Sequence, residues 1–391
     1  MSDVEYDYWS LALKIHDLSE VGSREFQSSS ILANVLRSRG FEVEIPYLGI
    51  PTAFRAEKTI GTSGPTIAFL AEYDALPGIG HACGHNLIAS AAVFSAIETS
   101  RKISSGRIVV IGTPDEEGSG EFSGSKIIMT ERGAFKDVDI VLGSHPGDSW
   151  SVGDQSLAVQ DFEVTFFGYS AHEAGNPEKG KSALNGSILT YEAVNMMRQH
   201  VRRDANVVMH AIISEGGTAS NVTPERSVLK IGIRSSDLRY LSDLISRFKK
   251  IVEGCAIATE TTFKIEEGPL FSTTKINKNL SNAVRDILIS RGIDVPPLEK
   301  SISTIPTGST DFANVSQVVP ALELSYQIAE KGTPWHSRLS LEAAKSEWAK
   351  NSLAIVIDTL SEFATRYAED EELRRKIRED FLADREQDPG H

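Results

Sequence analysis

The nine residues "GIGHACGHN", 78–86, hold two histidines, three glycines and one of the chain's two cysteines, directly before the apolar stretch "LIASAAVFSAI". Cys83 and His85 lie two apart in a loop-like segment, so both side chains can turn towards one point, where a helix would splay them. Two more stretches offer donors: "PDEEGSG" carries Asp115, Glu116 and Glu117, and "GSHPG" carries His145. Imidazole, thiolate and carboxylate together suit zinc or a similar first-row divalent ion. A glutamate pair can divide the work, one ligating while its neighbour serves as general base on water. Taken singly, each feature has a plainer reading. His145 could be a hydrogen-bonded structural histidine, "EEG" a solvated loop, and Cys83 a small buried hydrophobe. A cysteine–histidine nucleophile pair fits poorly, because Cys83 and His85 are too close in the chain for that geometry without strain.

The elements around these residues explain why they should meet. "TIAFLAEYD", "RIVVIGTP" and "VDIVLGSHP" read as short buried strands, separated by helical stretches beginning "NLIASAAVF" and "SGSKIIMTE". Nearly continuous apolar strands alternating with helices predict an α/β fold with a mostly parallel sheet covered by helices on both faces. Ligands in such sheets gather beyond the carboxyl ends of the strands. Asp74, His81, Cys83 and His85 follow the first strand, Asp115, Glu116 and Glu117 the second, and His145 the third, so one rim would collect all of them.

Residues 6–39 read as a helical lead-in that stops at Gly40 before the strand-like "FEVEI". From about residue 157 the pattern changes. "LAVQDFEVTFFG" alternates with period two, and the following segments give the order β-α-β-β-α-β of a ferredoxin-like unit. The expected organisation is therefore one domain formed by residues 1–156 and 268–391, with a second, 157–267, inserted into it. The C-terminal "SLEAAKSEWAKNSLAIVIDTLSEFATRYA" reads as helix, and the charged stretch after it as a solvated surface helix. His16, His200, His210 and His391 read as structural or surface residues.

The chain has 391 residues, 40% of them hydrophobic, which allows more than one core. A formal net charge of −14 would repel phosphate backbones and anionic membranes, so neither nucleic acid nor membrane is an expected partner. Cys83 and Cys255 are far apart, which argues against a disulfide framework. Acidic residues stand where a signal peptide needs basic ones, and the expected location is cytoplasmic.

In order along the chain, "EYDALPGIGHACGHNL", "PDEEGSG", "GSHPG", "GYSAHEAGNP", "SNVTPERS", "GSTDFANVS" and "PWHS" resemble the motifs of the aminoacylase and carboxypeptidase clan of dinuclear metallopeptidases. The likeness is greatest to its amidohydrolase branch of hippurate, auxin-conjugate and p-aminobenzoyl-glutamate hydrolases, and within that to the β-alanyl-lysine dipeptidase-like subgroup. The resemblance implies two divalent metal ions, zinc foremost with manganese, cobalt or nickel also suited. Cys83 would bridge them, with His85, Glu117, His145 and His336 completing the ligands. It implies Glu116 as general base and Asp74 as the carboxylate that orients a ligand from behind. The inserted domain would be a lid and dimerisation domain, giving a homodimer or higher homo-oligomer. In it His172 would stabilise an oxyanion, and Asn221 with Arg234 would bind a substrate carboxylate.

The implied activity is hydrolysis of the amide bond of a small dipeptide or N-acyl amino acid. A hippurate-type hydrolase, a non-catalytic binding relative and a purely structural zinc site are the rival readings. The sequence also departs from the branch: Asn86 stands where an aspartate is usual, so a neutral amide is expected beside the metals.

Overall fold

The segment "TIAFLA" forms a strand in which all six residues are buried, and its alternate side chains show why. Ile67, Phe69 and Ala71 pack into one hydrophobic core, whereas Ala68 and Leu70 pack into another. A strand buried on both faces needs apolar residues at every position rather than every second one.

The computed structural model describes residues 5–306 and 308–387; His391 lies outside them. Two compact units emerge. The first comprises the residues up to Gln155, Thr274–Thr304, and those from Asp311 onward; the second comprises Ser156–Thr273 with Ile305–Thr310. The second unit thus runs six residues past the expected limit of 267 and takes back a short later segment. The backbone N–H of Leu157 donates to the carbonyl of Gly308 at 2.8 Å, which ties that segment to the unit.

The first unit begins with helices α1 (Tyr8–Leu18) and α2 (Phe26–Ser38), then β1 (Glu42–Glu44), β2 (Phe54–Ile60) and β3 (Thr66–Ala71). α3 (His85–Lys102), β4 (Gly106–Gly112), α4 (Ser125–Glu131) and β5 (Ile140–Gly147) follow. The six-stranded sheet has the order β1-β2-β4-β3-β5-β10, where β10 is Ala321–Gln327. β4, β3, β5 and β10 pair in parallel, while β2 joins β4 antiparallel and β1 joins β2 antiparallel. β2 escapes the sequence reading because "FRAEKTI" mixes charged residues into what is a buried start, with Arg55 paired to Asp137 at 2.8 Å.

The second unit contributes β6 (Ala158–Phe167), α5 (Ala183–Met197), β7 (Val208–Glu215), β8 (Arg226–Ser235), α6 (Leu238–Ala258) and β9 (Thr262–Glu267). The order β-α-β-β-α-β is present, and the four strands lie β7-β8-β6-β9, all antiparallel. Phe162, Val164 and Phe166 of β6 and Leu229, Ile231 and Ile233 of β8 turn to the helix side, against Leu244, Phe248 and Val252 of α6. Period-two alternation suits a sheet with one covered face.

After the second unit come α7 (Lys278–Ser290), α8 (Leu298–Ser303), α9 (Phe312–Val318), β10, α10 (Arg338–Ala343), α11 (Glu347–Glu369) and α12 (Glu371–Gln387). Residues of α1, α3 and α11 cover one face of the first sheet, and residues of α4 and α9 the other. The expected long C-terminal helix is interrupted. Ser346 accepts the N–H of Ala349 at 3.1 Å and caps a fresh helix there, an N-terminal device that serine favours. Among the described residues, no helix is long and apolar enough to cross a membrane.

Candidate metal centre

β3 ends at Ala71, and the chain runs on through Glu72 and Asp74, both buried, into the glycine-rich loop. Gly84 caps α3 with φ of +84°, and a Cβ there would lie 2.4 Å from Cγ of Pro146. Only glycine meets both demands, the left-handed backbone and the close approach. That approach sets the loop against β5, where His145 follows Ser144. Cys83 Sγ consequently lies 3.5 Å from Nε2 of His145.

Asp74 organises the rest. Its Oδ1 lies 2.9 Å from Nδ1 of His85, and its Oδ2 accepts the N–H of Glu117 at 3.0 Å. With Nδ1 committed to Asp74, Nε2 of His85 faces inward, 3.7 Å from Glu116 Oε2 and 3.9 Å from Glu117 Oε1. His336 enters from beyond β10 with φ of +56°, a strained backbone for a histidine, and its Nε2 lies 3.6 Å from Glu117 Oε1. His145 points Nδ1 at the carbonyl of Pro146, 2.8 Å away, which leaves Nε2 for the cluster.

Among the described residues, the groups whose donor atoms could share an ion are Cys83 with His85 and His145, Cys83 with Glu117 and His336, and Glu72 with His85 and Glu116. The five residues expected as ligands are therefore brought together, with Cys83 common to two groups. A fit to cations can be tested on the atoms left over. Glu72 Oε2, His85 Nε2 and Glu117 Oε1 are buried without a hydrogen-bond partner. Buried polar atoms are ordinarily satisfied, so three lone-pair donors left open in one place suit an ion.

The electrostatics point the same way. Burial pushes the Cys83 thiol up to about 12 despite His85 beside it. Burial and the neighbouring Glu72 push Glu116 well above the usual carboxylate range. Burial opposes the charge of Asp74, yet His85 and the Glu117 N–H outweigh it and hold the carboxyl at about 2. His85 is held well above its usual value because Asp74 and Cys83 outweigh its burial. Protons crowded onto such donors are what a bound cation displaces.

The structure corrects some of the expected positions. Asp115 is a strut rather than a donor: its carboxylate accepts from Ser23 Oγ at 2.6 Å, Gly120 N at 2.9 Å and Phe122 N at 3.0 Å. His81 lies with its ring 6.0 Å from that of His16 and joins none of the donor groups. Asn86 does not present its amide to the cluster. Its Nδ2 donates to the carbonyls of Ala12 and Ala344, each at 3.2 Å. Successive residues of a helix point about 100° apart, so His85 facing the donors turns Asn86 towards α1.

In the second unit, His172 and Asn221 are exposed neighbours. His172 bridges Val222, and Glu173 N donates to the carbonyl of Asn221 at 3.1 Å, carrying the β6–β8 ladder outward past Phe167 and Arg226. Arg234 stands at the opposite end of β8, its Nη1 3.5 Å from Ser309 Oγ. The strand rise of about 3.3 Å per residue sets Asn221 and Arg234 of one chain more than about 25 Å apart. Residues that sequence reasoning missed are Glu72, Lys126 and Asp311. Glu72 and Asp311 lie inside quoted motifs, and Lys126 is a fully buried cation beside the apolar Ile127, Ile128 and Met129.

A family model described as Peptidase family M20/M25/M40 matches residues 68–346. The chain belongs to this family. It is 34% identical to the Xaa-Arg dipeptidase of Mus musculus, over 78% of this chain and 72% of that protein. Identity to the Homo sapiens Xaa-Arg dipeptidase is 33%, over 86% and 79%. A p-aminobenzoyl-glutamate hydrolase polypeptide of Escherichia coli is 33% identical, over 72% of this chain and 62% of that one. Among solved structures, an aminobenzoyl-glutamate utilization protein from Klebsiella pneumoniae shares the fold. It has a TM-score of 0.70 at 19% identity and covers 91% of this chain and 94% of that one. As a member of the M20/M25/M40 peptidases, the chain is a metal-dependent hydrolase of amide bonds.

Proposed function

We propose that this M20-family chain hydrolyses the amide bond of a small dipeptide or N-acyl amino acid bearing a free carboxylate. In this reading Cys83, His85, Glu117, His145 and His336 hold two divalent cations, zinc foremost. The observation that carries it is the convergence of those five residues, with His85 Nε2 and Glu117 Oε1 buried and unpartnered among them and Glu116 beside them. When bound, the cations acidify water and polarise the scissile carbonyl.

Glu116 then acts as general base. Its carboxylate, 3.7 Å from His85 Nε2, takes a proton from the attacking water and returns it to the departing amine. Asp74 holds Nδ1 of His85 so that Nε2 faces the cluster, and pins the backbone of Glu117, so both donors are aimed before any ion arrives. The first unit is the catalytic part, and the second is the lid and dimerisation domain.

His172 steadies the oxyanion by hydrogen bonding. Arg234 offers the fork that suits a planar carboxylate. Because Asn221 and Arg234 of one chain stand at opposite ends of β8, a carboxylate held by both needs two chains, which supports a homodimer. Two free, buried cysteines are consistent with the cytoplasm.

The deciding experiment is elemental analysis of purified protein, with hydrolysis of dipeptides, among them Xaa-Arg and β-alanyl-lysine, and of N-acyl amino acids, with and without added Zn²⁺ or Mn²⁺. About two ions per chain and metal-dependent release of amino acid are expected. A preference for hippurate would move the chain to the hippurate-type hydrolases. Absence of bound metal together with absence of activity would refute the reading.

A further inference from the structure

Glu72 has no part in the function proposed above, yet it is among the most constrained side chains in the molecule. It follows the last residue of β3 and is 2% exposed. Its Oε1 meets Nζ of Lys126 at 2.8 Å, and Lys126, fully buried on α4, is also paired to the fully buried Asp311. Its Oε2 has no hydrogen-bond partner and faces Nε2 of His85 at 3.4 Å.

That contact is the informative one. His85 Nε2 is itself unpartnered, its Nδ1 being held by Asp74. An open carboxylate oxygen and an open ring nitrogen therefore face each other in a buried place, a pair that needs a proton or a cation between them. Ligands held at about 2.0–2.1 Å in a tetrahedron stand roughly 3.4 Å from one another. The observed separation matches such an edge. Burying Lys126 also needs a reason, since a buried ammonium is costly unless it is well paired. Two carboxylates against one ammonium leave a negative charge in excess, and the open oxygen carrying it points at His85.

Resting on the metal-dependent reading above, we propose that Glu72 is a sixth protein donor, giving Oε2 to the cation at His85 while Lys126 and Asp311 anchor its other oxygen. Lys126 and Asp311 are then positioning residues that fix the carboxylate from behind. The rival account, in which Glu72 serves only as counterion to Lys126, predicts that charge alone matters and that reach does not.

The test strips the full-length protein of metal and titrates it with Co²⁺, following visible absorption and competition with a chromophoric chelator. Wild type should take up two ions. Glu72→Gln keeps shape and the contact to Lys126 but loses the anionic oxygen; the ion at His85 should weaken by roughly 10–100-fold, with an altered cobalt spectrum. Glu72→Asp keeps the charge and draws the carboxylate back by one methylene, so it should remain weakened.

Wild-type affinity and spectrum in Glu72→Gln would overturn the proposal while leaving the dinuclear reading intact, as would full recovery in Glu72→Asp. If Glu72→Gln does not fold, as judged by circular dichroism, Glu72→Asp alone decides. A wild type that binds no Co²⁺ overturns both this inference and the reading beneath it.

Discussion

Asp74 Oδ1 lies 2.9 Å from Nδ1 of His85, and neither side chain is exposed to solvent. Through its second oxygen the same carboxylate holds the N–H of Glu117, so one residue orients donors that arrive from two different strand ends. Asp74→Asn should preserve the fold, since the amide is nearly isosteric, but lower metal affinity by about 10–100-fold. Competition against a chromophoric chelator measures this, and unchanged affinity would remove Asp74 from the centre.

Glu116 sits beside the donors and is the carboxylate free to move a proton. Glu116→Gln should retain two ions per chain and lose on the order of a hundredfold or more in kcat. Elemental analysis paired with steady-state kinetics separates the outcomes. Near-wild-type turnover at full metal content would dismiss the general-base role.

Asn86→Asp restores the aspartate expected from the family resemblance, yet the structure assigns that position to packing. A carboxylate there would face the carbonyls of Ala12 and Ala344 with no donor to replace the amide. The variant should lose about 3 kcal/mol or more of stability, the range for an unpaired buried charge. Chemical denaturation gives the loss, and metal titration of the still-folded protein should give wild-type stoichiometry.

Glu25 offers a pH test away from the donors. Burial pushes its carboxyl from about 4.5 up to about 7, against hydrogen bonds from Thr52 and the Asp115 N–H that favour its charge. The sign follows from proton binding. Between those two values the folded chain keeps a proton that the unfolded chain releases, so this group's contribution to stability falls as pH rises from about 4.5 through about 7. Above that window the full cost, about 3 kcal/mol at most, is present. Glu25→Gln keeps the acceptor for Ser23 and Asp115 and can donate to Thr52. Its Tm should exceed that of wild type at pH 8, and the two should converge near pH 4.5. Parallel Tm profiles across that range would show that Glu25 does not titrate there.

Much of the centre was legible from local pattern. The apolar runs of β3, β4 and β5 announce strands buried on both faces, and donors placed just after each run must gather at one rim. The alternation in "LAVQDFEVTFFG" likewise announces a sheet with one covered face. These signals are short-range: the period of an element and the few residues that follow it are written within about ten positions.

His336 and the pairing of Glu72, Lys126 and Asp311 belong to the other kind of information. They come from β3, α4 and the segments around α9 and β10, and no spacing relates them until the sheet closes with β10 beside β5. Local sequence was enough to name the donor types and the strand ends that carry them. Which oxygen stays open, why a lysine can be buried and which way Asn86 turns were settled by folding, because side-chain direction and the balance of buried charge depend on neighbours that are distant along the chain.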